Sequence, residues 1–97
     1  MFDKIKGLME MQKKMQEVKR QLDALTFEVK SADGSVTVAM NGSQEVQSVA
    51  IAGSLAGLQK DALERQCRDT FNAAIRRAQG LAAQKMRDIT GVNLPGM

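Results

Sequence analysis

The chain has no histidine, tryptophan or tyrosine, and only one cysteine and one proline. Without histidine, a Ser–His–Asp relay and most transition-metal centres are excluded. The lone Cys67 cannot close an internal disulfide, which fits a reducing compartment. The only aromatic residues are three phenylalanines, so aliphatic and methionine side chains must fill the interior. No run approaches the ~18 apolar residues of a membrane-spanning helix. The start, MFDKIKGLMEMQKKM, gives no unbroken apolar region of the secretory kind. The expectation is a soluble, intracellular, cytoplasmic protein without a membrane partner. No glycine-rich loop follows a strand, and the acidic residues are scattered singly. Neither an enzyme, a cofactor nor a small-molecule substrate is therefore expected.

What is present is organised around Ser35–Ile51, SVTVAMNGSQEVQSVAI. Val36, Val38 and Met40 alternate with Ser35, Thr37 and Ala39, the period of a strand with one buried side. Asn41-Gly42 interrupts the alternation and suits a tight hairpin turn with positive φ. A second run carries Val46, Val49 and Ile51, in which Val46 is out of phase with the other two. Either a bulge lies between 46 and 49 or Val46 faces the opposite side. Thr26–Ser31 adds a third strand with Phe27 and Val29 on one face, and Ala32-Asp33-Gly34 turns it into the hairpin. The result is a three-stranded antiparallel meander over 26–52.

A helix is expected on each side. Over 2–25, Leu8, Met11, Met15, Val18, Leu22 and Leu25 keep the three–four spacing of a coiled-coil seam. At ~1.5 Å per residue this helix would run about 36 Å, more than a three-stranded sheet can cover. Part of it must project or pair with another helix. Over 59–89, Leu63, Cys67, Thr70, Phe71, Ala74, Ala78, Leu81, Ala82 and Ile89 mark a buried stripe whose alanines permit close approach. Cys67 on that stripe reads as a small core residue. Gly80 could interrupt the helix, Gly91 should stop it, and Pro95 should prevent its resumption, leaving a mobile tail over 91–97. The chain reads as one α+β domain over 1–97, in the order α-β-β-β-α. Its modest core favours a homodimer that shares an interior between subunits.

Charge is unevenly distributed. Residues 1–25 carry a net +2, residues 26–59 a net −2 and residues 60–97 a net +3. On the first helix Lys6, Lys13 and Arg20 recur every seven residues opposite the seam, with Lys14 beside them. A basic ridge on a projecting helix suits phosphate contact. Asp3, Glu10 and Glu17 sit three residues before each ridge cation, so stabilising pairs on a solvated face are the alternative. On the second helix Arg76, Arg77, Lys85 and Arg87 lie in a stretch without an acid, preceded by Arg65 and Arg68. Arginine is the better bidentate phosphate ligand. A solvated surface remains open here too.

The stretches GSVTVAMNGSQEVQSVAI at 34–51 and MRDITGVNLPGM at 86–97, in this order of elements, resemble the YbaB/EbfC family of bacterial nucleoid-associated proteins. The resemblance spans nearly the whole chain. It implies a homodimer joined through the sheets, with long helices projecting like tweezers around duplex DNA, associated with the nucleoid. Family arms are often richer in Lys and Glu, whereas this second helix is rich in Arg and Ala. The expected partner is double-stranded DNA, held mainly by its phosphates. The alternative function is a protein–protein adaptor or helix clamp that uses the Met/Leu seam of the first helix.

Overall fold

The computed structural model of the chain describes residues 2–53 and 59–91. Its elements follow the order α1 (Phe2–Ala24), β1 (Thr26–Lys30), β2 (Val36–Asn41), β3 (Val46–Ile51) and α2 (Lys60–Thr90). The sheet is an antiparallel meander in the order β1-β2-β3. Phe27 pairs with Met40 and Val29 with Val38 on one side of β2. Ile51 pairs with Val36, Val49 with Val38 and Val46 with Met40 on the other. Directly opposed residues share a face of the sheet, so all these apolar side chains lie on one face. The phase of Val46 is settled by a bulge. Ala39 pairs with Ser48 but Met40 with Val46, which leaves Gln47 as the extra residue.

α2 lies across β2 and β1. Phe27, Val36, Val38, Met40, Ala74 and Ala78 form the buried cluster, with Leu63, Cys67, Phe71, Ile75 and Leu81 packed around it. Ala74 and Ala78 are fully covered, because only a methyl group separates the helix from the sheet there. Cys67 is partly buried at this contact, in keeping with a packing role. The helix passes through Gly80 without a break and ends at Gly91, which takes φ 71° and donates its N–H to Arg87 O at 2.8 Å. Residues 92–97, expected as a tail, lie outside the described residues, as do residues 54–58 between β3 and α2.

The seam of α1 divides in two. Val18 and Leu22 are buried where α1 packs beside α2 and reaches β2. Leu8, Met11 and Met15, on the same seam, are 71%, 44% and 40% exposed, so this half of the helix projects. The molecule is accordingly elongated, 67 × 23 × 16 Å.

The hairpin forms where the sequence places it, but its turn differs from expectation. Neither Asn41 nor Gly42 has positive φ; Gln44 does, at 64°. Gln44 N–H donates to Asn41 O at 3.2 Å, and the Asn41 side-chain oxygen accepts the N–H groups of Ser43 and Glu45, both at 3.0 Å. This is a three-residue loop closed by a left-handed residue, not a two-residue primed turn. Gly42 has another task. It donates its N–H to Leu22 O at 3.0 Å and Leu25 O at 2.9 Å, and a Cβ on it would lie 2.7 Å from Leu22 Cδ2. Glycine is required because the strand end presses against the last turn of α1 and caps its carbonyls. Asn41 Nδ2 assists by donating to Asp23 O at 3.3 Å.

Candidate nucleic-acid interface

All the cations expected at the interface lie on the two helices, and their surroundings separate them into engaged and unengaged groups. On α1, Arg20 is engaged. Its Nε donates to Glu17 Oε2 at 2.9 Å and its Nη2 donates to Glu17 Oε1, while Gln21 Nε2 reaches the same carboxylate at 2.9 Å. The Arg20 hydrogen bonds, then that of Gln21, hold the Glu17 carboxyl down at about 2, and Glu17 in turn raises Arg20. Lys19 pairs with Asp23 at 3.3 Å. The Asp23 carboxyl is lowered by the Ser43 hydroxyl first and then by Lys19.

The pairing pattern expected from the heptad therefore appears once. Asp3 with Lys6 and Glu10 with Lys13 form no ion pair among the described residues, whereas Glu17 with Arg20 does. Lys6, Lys13 and Lys14 stand exposed on the projecting half of α1. They share that half with the uncovered seam residues.

On α2, Arg68 Nε donates to Asp69 Oδ1 at 2.9 Å, and Asp69 raises the Arg68 guanidinium by that bond. Arg77 is engaged differently. Its guanidinium carbon sits 4.9 Å from the centroid of the Phe27 ring, and its Nη1 donates to Glu28 O at 3.3 Å. It ties α2 to β1. The sequence signal was available in outline: Arg77 adjoins Ala78 on the flank of the buried stripe, within reach of whatever that stripe covers. Arg65, Arg76, Lys85 and Arg87 form no ion pair among the described residues. Arg65, Arg76 and Arg87 are exposed and Lys85 is half-buried.

The sheet supplies a second surface that patterning did not single out. α2 covers β2 and β1, and β3 is left on the edge. Val46, Val49 and Ile51 face the same side as the core yet are 48%, 46% and 36% exposed. An apolar edge strand of this kind is a template for pairing with another chain.

The profile of the YbaB/EbfC DNA-binding family matches residues 1–93. A nucleoid-associated protein of Chloroflexus aurantiacus is 36% identical over 83 residues, covering 84% of this chain and 83% of its own. One of Gloeothece citriformis is 34% identical over 102 residues, covering 97% and 90%. The crystal structure of an uncharacterized protein from Helicobacter pylori superposes with a TM-score of 0.79 at 22% identity, over 94% of this chain and 98% of that one, and so shares the fold. With helix, meander and helix in this order and the match running through nearly every element, the chain belongs to the YbaB/EbfC DNA-binding family.

Proposed function

We propose that the protein is a nucleoid-associated homodimer that holds double-stranded DNA mainly by its phosphates. One observation carries the reading: cations without an acid partner among the described residues are present on both helices. Lys6, Lys13 and Lys14 on α1 and Arg65, Arg76, Lys85 and Arg87 on α2 would supply the positive field. Arg20 and Arg68, each already paired with a carboxylate, would contribute less. The dimer would form along β3, where Val46, Val49 and Ile51 lie uncovered and a two-fold axis would bring each strand to its own copy. Two copies then present two pairs of helices to one ligand. The family match and the names of the two relatives support the same reading.

Charge reversal tests it. Lys13→Glu and Arg76→Glu both leave the core untouched and should each weaken binding to two unrelated duplexes alike in a mobility-shift assay. Phosphate contacts position a protein but do not read bases. A second reading, the adaptor, is favoured by the exposure of Leu8, Met11 and Met15 on one helical face. If both folded variants keep full affinity, the cations are solvated surface and the adaptor moves ahead.

A further inference from the structure

Arg65, Arg76 and Arg87 recur every eleven residues along α2. Eleven residues make three helical turns with a drift of about 20°, so the three side chains stand in one nearly straight row, about 16 Å apart. The row is exposed. It lies on the side of α2 roughly opposite Ala74 and Ala78, which are buried on the sheet. One acid, Asp69, falls near the row between Arg65 and Arg76, and Arg68 offsets it at 2.9 Å. From Arg65 to Arg87 the helix rises about 33 Å. A helical turn of DNA advances about 34–36 Å.

We propose that α2 docks lengthwise on the duplex, with Arg65 and Arg87 on phosphates one turn apart and Arg76 on the backbone between them. The inference rests on the DNA-binding reading and adds to it an orientation and a set of contacts. Arginine suits the task, because its planar fork meets a phosphate with two donors. Contacts made only to phosphates position the helix on the duplex without reading base edges, so the docking is indifferent to sequence. Arg77 takes no part. Its guanidinium is held over Phe27 and bonded to Glu28 O, which makes it a positioning residue that sets α2 against β1.

Fluorescence anisotropy with a 24-base-pair duplex, at a series of salt concentrations, separates these roles in the full chain. Arg65→Gln, Arg76→Gln and Arg87→Gln should each reduce the slope of log affinity against log salt by about 0.9 for every helix engaged. Arg77→Gln should lower the melting temperature and leave the slope unchanged. The inference is overturned if Arg77→Gln lowers the slope as much as the row variants do, or if fewer than two of the three row variants lower it. A wild-type slope near zero would instead sink the phosphate reading itself.

Discussion

Replacing Gly42 tests how the sheet is joined to α1. The backbone at 42 is not left-handed, so a side chain there is not strained by φ. The obstacle is space. A Cβ would stand 2.7 Å from Leu22 Cδ2, 3.2 Å from Leu22 O and 3.3 Å from Leu22 Cα. The leucine methyl can swing aside, but the two backbone atoms belong to the last turn of a helix and cannot. Forcing the elements apart is overpacking, at about 1–3 kcal/mol. The two hydrogen bonds from Gly42 N–H lengthen with it, and a typical bond contributes about 1 kcal/mol. Alanine's smaller unfolded-chain entropy returns about 0.4–1 kcal/mol. Gly42→Ala should therefore cost about 2 kcal/mol, or roughly 8–16 °C in melting temperature for a domain of this size. Rank order is the sharper result. Crowding predicts that Ala is tolerated better than Asn, and Asn better than Val. A left-handed requirement predicts that Asn is tolerated better than Ala. Thermal melts at one fixed protein concentration decide it. An unchanged Gly42→Ala, or an Asn variant more stable than the Ala variant, would refute the close-approach argument.

Other expectations follow from the same contacts. Val49→Glu places a charge on the uncovered apolar face of β3, along which the proposed dimer would form, so sedimentation equilibrium should show a dimeric wild type and a variant shifted toward the 10.6 kDa monomer; a variant mass equal to that of wild type would contradict a dimer formed along β3. Arg77→Ala removes the guanidinium from the Phe27 ring and should cost about 0.5–1 kcal/mol in urea unfolding, and a variant as stable as wild type would contradict the tie. Glu17 has its folded pKa lowered to about 2, so its contribution is present above its ordinary value of 4.5 and is lost as pH falls toward 2. Glu17→Gln should flatten the acid limb of a pH–stability curve in that window; an identical limb would show that the pairing with Arg20 does not persist in solution. Cys67→Ala should leave DNA binding intact at a small cost in stability, since a small side chain loses few contacts, and lost binding with an unchanged circular dichroism spectrum would reveal a role beyond packing.

The fold was legible because its signals are periodic. Alternation over Val36–Met40 and the stripe Leu63–Leu81 each admit one arrangement, whereas the stray phase of Val46 left a bulge and an opposite-facing side chain equally open, and only the pairing of Met40 with Val46 selects the bulge. The Asn41-Gly42 turn was misread because two pressures select the same glycine. Positive φ and close approach leave one mark on a sequence, and only the position of Leu22 separates them. The candidate interface was less legible for a related reason. Spacing shows which cations could share a face, but not which already have partners. Arg20 with Glu17 and Lys13 with Glu10 look alike in the heptad, and only the first pair closes. Arg76 and Arg77 are neighbours in the chain, yet one forms no ion pair among the described residues and the other lies over Phe27. Exposure of β3 depends on where α2 crosses the sheet, which no local pattern encodes.

The central claim is that unpaired cations on two helices hold duplex DNA by its phosphates. A salt titration of wild-type binding to two duplexes of unrelated sequence tests it most directly. The account predicts affinity that falls steeply and in parallel for both, with a slope of about −0.9 for each phosphate engaged. Affinity that is flat with salt, or steep for one duplex and absent for the other, would contradict it.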